Sequence, residues 1–167
     1  MRRKTEGGHF LDTFETFYQQ TRGRFFNYLV RLVGDYDKAA DIFQESYARY
    51  WEHYGRQEPS AGLLFAIGRN AVIDSRRRKG GSEQPYEDLV RDHQPDQETA
   101  MVAKESYRRV LTAMGSLKPL EREVLALAVD GEFTYEEIAR ITRVSVANVK
   151  VKVHRARQRL RSLLKEA

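Results

Sequence analysis

The segment from Ser145 to Leu164 combines cationic side chains with a regular apolar repeat, and this combination suits binding to phosphate groups. With a helical period of 3.6 residues, its apolar side chains fall on one stripe, while Lys150, Arg157 and Arg161 lie off it. The stripe consists of Val146, Val149, Val153, Ala156, Leu160, Leu163 and Leu164. A strand with a period of two would explain only the alternation around Lys150, so the pattern predicts a helix. Such a helix needs an apolar partner on one side and an anionic partner on the other.

A second, shorter helix is predicted directly before this one. Thr134 and Glu137 have the spacing of a capping box, and Ser145 can cap the basic helix after a turn of only three or four residues. Two helices joined by so short a turn, the second of them basic, predict a DNA-binding helix-turn-helix. An αα-hairpin that only packs, with its cations solvated, is the alternative that the pattern leaves open.

The composition limits what else the chain can do. It has 167 residues, a formal charge of +5 and no cysteine, which excludes disulfides and thiolate metal sites and fits a reducing cytoplasm. No apolar run approaches the roughly 20 residues of a membrane-spanning helix, and the basic start "MRRKTEGGHF" has no apolar segment behind it. We therefore expect a soluble, cytoplasmic protein without membrane insertion.

Enzymatic and metal-binding patterns are not found in the sequence. Its histidines, His9, His53, His93 and His154, lack the spacing of metal ligands. There is no glycine-rich phosphate loop, and no nucleophile has an evident base. The sequence predicts no catalytic residue, no metal site and no cofactor.

Three helices are predicted before residue 80. The first begins with Asp12 as its N-cap and ends at Gly34, and the second follows directly and ends at Gly55. The third opens after Pro59 and ends in the basic run at residues 76–79. Short turns between amphipathic helices predict one compact helical unit.

The composition changes at residues 80–98, where two glycines, two prolines and many acids interrupt the apolar periodicity. This stretch is predicted to be a flexible, acidic linker. Helical patterns resume near Ala100 and stop at Gly115, and a further helix runs from Pro119 to Gly131. The expected fold class is all-α, with two small helical domains joined by the linker.

Three stretches together resemble the extracytoplasmic-function sigma factors of bacterial RNA polymerase, in the order and spacing of that family. They are "AADIFQESYARYW" at 39–51, "LLFAIGRNAVIDSRRRK" at 63–79 and "LKPLEREVLALAVDGEFTYEEIARITRVSVANVKVKVHRARQRLRSLL" at 117–164. The resemblance implies a sigma region 2-like domain at 8–79 and a sigma region 4-like domain at 99–167. The linker at 80–98 is too short for the extra domain of larger sigma factors, which indicates the minimal two-domain class.

The resemblance also implies the partners. They are core RNA polymerase, promoter DNA and an anti-sigma factor. On the polymerase, the clamp helices of the largest subunit would receive one face of the second helix, and the flap of the second-largest subunit would receive the region 4-like domain. The residues implied for the clamp are Asp41, Gln44, Glu45 and Arg49. Without the resemblance, the same residues would be interpreted as a solvated helix face.

For the −10 element, the resemblance implies a pocket for an extruded base in the loop at residues 53–60. Asn70 would make a polar contact, and Arg76, Arg77, Arg78 and Lys79 would follow the phosphates. A packing or capping amide at Asn70, and a basic helix end that complements its dipole, are the structural alternatives. Trp51 and the tyrosines near it are expected in the core.

For the −35 element, the N-terminal part of the basic helix would lie at base edges in the major groove. The residues positioned to meet DNA are Ala147, Asn148, Lys150, Val151, His154, Arg155 and Arg157. Lys150 and Arg155 are the main candidates for base contacts, and Arg157 is expected at phosphate. The alternative for His154 is an exposed side chain that makes no contact with DNA.

Two positions depart from the family pattern. Arg143 occupies the turn position where glycine is usual, and a side chain in a left-handed conformation costs about 1 kcal/mol, so we expect a slightly reshaped turn. Val151 replaces a small hydroxyl residue and can offer only a methyl contact to thymine.

The expected function is promoter-specific initiation as a sigma factor, which is not an enzyme. The alternatives are a stand-alone helix-turn-helix regulator, which would bind a palindrome as a dimer, and a helical module whose basic helix binds an acidic protein.

Overall fold

A computed structural model describes residues 5–78 and 99–166, with side chains described for 10–78 and 104–165. These residues form seven α-helices and no strand, which confirms the predicted all-α fold. The helices are α1 (Thr5–Val33), α2 (Tyr36–Tyr54), α3 (Ala61–Arg78), α4 (Thr99–Gly115), α5 (Pro119–Ala128), α6 (Tyr135–Thr142) and α7 (Val146–Glu166). The linker predicted at 80–98 lies outside the described residues.

Helices α1, α2 and α3, here called the N-terminal unit, pack around a cluster of aromatic rings. Phe25 and Tyr28 of α1 are fully buried. The Phe25 ring lies 5.1 Å from the Phe65 ring of α3 and 5.7 Å from the Phe43 ring of α2, measured between centroids. Edge-to-face and tilted arrangements of this kind add to the free energy gained by burying the rings. The cluster leaves the opposite face of α2 available to solvent.

The end of α1 is as predicted, but its start is not. Gly34 follows the last helical residue with φ = 67°, a left-handed conformation that glycine adopts without strain. The predicted N-cap, Asp12, instead lies inside the helix, which begins at Thr5, and the Thr16 hydroxyl donates to the Asp12 carbonyl at 2.9 Å. The sequence interpretation was wrong because a capping residue can start a helix but does not prevent one from passing through it.

Helices α4 to α7, here called the C-terminal unit, pack around α5, which is buried on nearly all sides. Even its charged residues Glu121, Arg122 and Glu123 are buried. The Arg122 guanidinium donates to the carbonyls of Met114 (3.0 Å), Gly115 (2.5 Å) and Leu117 (3.2 Å). These carbonyls lie at the end of α4 and in the turn that follows it, and their acceptance of the guanidinium hydrogen bonds makes the buried cation tolerable.

The two units also pack against each other. Helix α1 contacts α5, and α3 contacts α6. The Phe65 ring meets the Phe133 ring at 4.9 Å, and ion pairs join arginines of the N-terminal unit to carboxylates of the C-terminal unit. The arrangement is therefore closed, with the surfaces described next on its outside.

We predict that Gly68→Ala destabilises the protein by about 1–3 kcal/mol, because an added Cβ would lie 2.6 Å from Cζ of the buried Phe25 ring. The matched control is Gly23→Ala in α1, where a Cβ meets nothing within 4 Å and the change should stabilise the helix by about 0.5–1 kcal/mol. Thermal and urea unfolding, followed by circular dichroism, measures both variants. Equal stability of the two would contradict the close packing of α3 on α1.

Candidate nucleic-acid interface

The capping box predicted at the start of α6 is present and fixes the first helix of the pair. The Thr134 hydroxyl accepts from the Glu137 N–H at 3.2 Å, and the Glu137 carboxylate accepts from the Thr134 N–H at 2.7 Å. Ile138, Ala139 and Ile141 are buried against the rest of the C-terminal unit, as the sequence predicted. Helix α6 is thus held in place from its first turn.

The turn between α6 and α7 keeps a left-handed residue although that residue is arginine. Arg143 has φ = 60° and ψ = 39°, and its N–H bonds to the Ala139 carbonyl. The Val144 N–H bonds to the same carbonyl at 3.2 Å, and Ser145 caps α7 by accepting from the Asn148 N–H at 3.1 Å. Arg143 therefore holds the strained left-handed conformation, and a turn slightly reshaped relative to the family stays a prediction.

Helix α7 divides into an inner and an outer face as predicted. Val149, Val153 and Ala156 are buried. Most of the residues predicted to meet DNA are exposed, namely Ala147, Lys150, Val151, His154, Arg155 and Arg157, and Asn148 is half-buried. Lys150, Arg155 and Arg157 form no ion pair with any carboxylate in the described part of the chain. An uncovered cationic face beginning at the helix N-terminus is the geometry that enters a major groove.

The basic residues at the end of α3 lie in different environments. Arg76 is half-buried and donates to the Leu32 carbonyl at 2.6 Å, so its guanidinium caps the end of α1. Arg77 and Arg78 are exposed, and Arg77 lies 3.5 Å from the Asp74 carboxylate. Asn70 is half-buried, and Lys79 lies outside the described residues. Arg77 and Arg78 remain the candidates best placed for phosphate, and the roles of all five residues remain predictions.

The loop between α2 and α3 is anchored rather than loose. The Ser60 N–H donates to the Tyr50 hydroxyl at 2.8 Å, and the Ser60 hydroxyl accepts from the Leu63 N–H at the start of α3. A hollow beside the loop is lined by Phe14, Tyr50, Tyr54, Gln57 and Pro59, among others. The hollow has a volume of about 10 Å³, which is room for about one water molecule and too little for a base, so the base pocket predicted for this loop stays a prediction.

The expectation that Trp51 lies in the core is wrong, whereas it is confirmed for Tyr47 and Tyr50. Those two rings are buried, but Trp51 is 39% exposed, and its ring rests on Phe14 at 4.7 Å between centroids. One residue along a helix turns the side chain by about 100°. Trp51 therefore lies at the edge of the apolar stripe of α2, whereas Tyr50 lies on the part of the stripe that faces the core.

The predicted polymerase-facing residues share the outer face of α2. Asp41, Gln44 and Arg49 are exposed, and Glu45 is half-buried and bonded to Arg49 at 2.5 Å. The opposite side of the helix carries buried Ile42, Ser46, Tyr47 and Tyr50. The structure thus brings all four residues to one surface, and their role there remains a prediction.

The same helix is fixed at its start by Asp35. The Asp35 carboxylate accepts from the Lys38 N–H at 3.0 Å and pairs with the Lys38 ammonium at 3.0 Å. Partial burial alone would raise the pKa of Asp35, but these hydrogen bonds and the cation outweigh it and lower the pKa. The cap is therefore charged at neutral pH and favourable to the positive end of α2.

Sequence reasoning missed the charged contacts around α5. Arg69 of α3 pairs with Glu123 at 2.8 Å, and both side chains are largely buried. The one signal was the run of three charges at residues 121–123 inside an otherwise apolar helix, which no solvated face could account for.

Other kinds of site have no support in the described residues. They contain no group of three potential His, Cys, Asp or Glu ligands placed to hold a metal ion. Within the same residues, no helix is both long enough and apolar enough to span a membrane.

Both units match known protein families. The sequence matches the family described as Sigma-70 region 2 over residues 17–82, and the family described as Sigma-70, region 4 over residues 107–160. The ECF RNA polymerase sigma factor SigM of Bacillus subtilis (strain 168) is 30% identical over 154 residues, which cover 90% of this chain and 94% of SigM. The ECF RNA polymerase sigma factor SigK of Mycobacterium sp. (strain KMS) is 28% identical over 151 residues, which cover 84% of this chain and 77% of SigK.

A solved structure is similar to the closed arrangement. The sigma factor RpoE from Bartonella quintana, in complex with the anti-sigma factor NepR, superposes with a TM-score of 0.71 and 27% sequence identity. The superposition covers 91% of this chain and 96% of the RpoE chain. It therefore includes both helical units.

We predict that Arg143→Gly stabilises the protein by about 0.5–1 kcal/mol and raises the melting temperature by about 1–4 °C, because glycine removes the strain at φ = 60°. Arg143→Ala is the control, since it removes the charge but keeps the Cβ. Thermal unfolding should show no such gain for alanine. An equal gain in both variants would assign the cost to the charge and not to the backbone.

Proposed function

Because the chain belongs to the extracytoplasmic-function sigma factors of RNA polymerase, we propose that it binds core RNA polymerase and directs initiation at specific promoters. The proposal is carried by the combination of two surfaces on one chain. The outer face of α2 is available to a protein partner, while the cationic face of α7 is available to a DNA groove. A protein that reads DNA only as part of a larger enzyme needs both.

We divide the work between three segments. Residues 8–79 bind the clamp helices of the largest polymerase subunit and open the −10 element, and residues 99–167 bind the flap of the second-largest subunit and read the −35 element. Residues 80–98 connect them. Two weak contacts to one duplex become strong when both are tethered through polymerase, since the second contact is then intramolecular.

The base contacts at −35 are assigned to the first three turns of α7. Lys150 and Arg155 are exposed and unpaired among the described side chains, and both can donate to guanine O6 and N7. Arg157 lies two residues beyond Arg155 and is assigned to phosphate. At Val151, which is 45% exposed, the methyl groups can contact thymine but donate no hydrogen bond.

Regulation by an anti-sigma factor is part of the proposal. It is supported by the similarity of this chain to a sigma factor that was solved with such a partner bound. The chain itself forms and breaks no bond, because polymerase supplies the chemistry of transcription. Its place of action is the cytoplasm, where bacterial polymerase works.

A stand-alone helix-turn-helix regulator would explain the C-terminal unit alone. It would not explain why residues 17–82 match Sigma-70 region 2. It would also give no role to the exposed acidic and amide side chains of α2. The sigma factor accounts for both units and is therefore preferred.

Reconstituted transcription tests the proposal directly. Purified protein is added to bacterial core polymerase that lacks other sigma factors, together with genomic templates from the native organism. Discrete promoter-specific transcripts are expected only in its presence. Unchanged transcription, combined with tight binding of the protein alone to a palindromic site, would favour the regulator.

We predict that Asp41→Lys weakens binding to core polymerase at least tenfold, about 1.4 kcal/mol, because it reverses a charge at the centre of the outer face of α2. The matched control is Glu105→Lys on α4, an exposed position that makes the same change of charge away from that face. Competition for core polymerase in the absence of DNA measures the affinity. Full affinity of the Asp41 variant would discredit the docking face.

We predict that Lys150→Ala lowers transcription from the cognate promoter by about 5- to 150-fold, since a specific base contact contributes about 1–3 kcal/mol. Lys165→Ala, at an exposed position near the end of the same helix, removes the same charge where no base is within reach. Initiation rates on matched templates compare the two. Similar losses in both would mean that α7 contributes only charge and no sequence preference.

A further inference from the structure

The turn residue Arg143 is the one residue other than glycine that has a positive φ in the described part of the chain. Its φ of 60° and ψ of 39° lie in the left-handed region, where a Cβ strains the backbone. Gly34 and Gly131 adopt positive φ values of 67° and 68° without this cost. Strained residues of this kind are concentrated at functional sites, where binding or catalysis requires the side chain that bears the cost.

The Arg143 side chain makes no polar contact within the described residues that would offset this strain. The backbone N–H that bonds to the Ala139 carbonyl would be present with glycine as well. The residue is exposed, and its guanidinium forms no ion pair with any described carboxylate. The hydrogen bond that caps α7 is made by Ser145 and Asn148. A contact with another molecule is therefore the remaining way to offset the strain.

The charges on both sides of Arg143 in the chain indicate an anionic partner. Residues 138–165 contain nine lysines and arginines and no aspartate or glutamate. Arg140, three residues before Arg143, is exposed and forms no ion pair with a described carboxylate. The same holds for Lys150 and Arg155 on α7. A concentration of like charges without internal partners favours binding to an anion.

The position of Arg143 in the helix pair indicates which anion it binds. Ser145 caps α7 two residues later, so Arg143 lies just outside the N-terminus of the helix whose first three turns are assigned to base edges. A major groove is about 12 Å wide and is bordered by phosphates, so a helix that enters it brings the residues next to its N-terminus to these borders. Arginine suits this place, because its guanidinium can donate two parallel hydrogen bonds to phosphate oxygens. An acidic protein segment would account for the charge but not for this position.

We propose that Arg143 binds a DNA phosphate from the turn of the helix-turn-helix, and that this contact offsets the strain of its left-handed conformation. The proposal rests on the DNA-binding part of the proposed function. It adds a contact that glycine, the usual residue at this turn position in the family, has no side chain to make. Arginine at this position thus lowers the stability of the free protein and raises its affinity for DNA.

Binding of the full chain to duplex DNA at several salt concentrations tests the proposal. The probe is a fluorescently labelled duplex of about 30 base pairs, and its anisotropy gives the binding constant between about 0.02 and 0.2 M salt. Loss of one phosphate contact lowers the steepness of the plot of log binding constant against log salt concentration by about 0.9. We expect this change for Arg143→Ala, together with an affinity about tenfold lower at about 0.05 M salt. An unchanged slope would overturn the proposal.

Two further substitutions separate DNA binding from folding. Arg143→Lys keeps a cation at the same position, so it should retain most of the slope. Arg143→Gly loses the cation and also removes the strain, so it should bind DNA as weakly as Arg143→Ala while its melting temperature rises. A folding defect cannot produce weaker binding and higher stability in one variant. Parental affinity in Arg143→Gly would show that the side chain makes no phosphate contact.

Arg22→Ala is the matched control, because Arg22 is an exposed arginine of α1 outside the surfaces assigned to DNA. It should keep the full slope, and a loss equal to that of Arg143→Ala would mean that only the net charge matters. A second duplex of unrelated sequence separates phosphate from base contacts. Equal losses on both duplexes support a phosphate contact, since phosphates carry no sequence information. A loss confined to one duplex would contradict the phosphate assignment.

The phosphate contact and the proposed function can fail independently, because the binding assay contains no polymerase. If transcription fails and the slope falls for Arg143→Ala, the contact stands in a DNA-binding protein of another kind. If transcription succeeds and the slope is unchanged, only the contact is overturned. No measurable binding of the parent chain at the lowest salt concentration would also overturn it, and would favour an acidic protein segment as the partner of this surface.

Discussion

The buried guanidinium of Arg122 is the interaction on which the arrangement of the chain depends. It lies in the middle of α5 and satisfies carbonyls at the end of α4 within its own unit, and it reaches the Leu32 carbonyl at the end of α1 in the other. A cation can be buried only where its donors find acceptors, and helix C-termini supply acceptors that would otherwise lack partners. One residue thus orients α5 relative to α4 and brings the next carboxylates, Glu123 and Asp130, to the arginines of α1 and α3. Helix α7 also packs on α5.

Much of the fold could be predicted from the sequence because its determinants are local. The capping box at Thr134, the cap at Ser145 and the glycine after α1 act within four residues, and each appears where it was expected. The inner and outer faces of α7 follow from the helical period alone, since buried Val149 and Val153 leave Lys150 and Arg155 no direction but outward. Prediction failed at Asp12, where a possible cap was overridden by a longer helix, and at Trp51, whose position at the edge of a stripe depends on how a neighbouring helix covers it.

The contacts between the units could not have been predicted in this way. Arg31 and Asp130 are separated by 99 residues and Arg24 and Glu132 by 108, so nothing in the local sequence marks them as partners. In the sequence, Arg24 and Arg31 are indistinguishable from the solvated charges of a long amphipathic helix.

The turn residue Arg143 shows a related limit of prediction from sequence. The sequence indicated the cost of placing a side chain in a left-handed turn, but it did not show that Arg143 would adopt this conformation, which it does with φ = 60°. The bases that α7 contacts cannot be predicted from the protein sequence alone, because base preference depends on the DNA as much as on the helix.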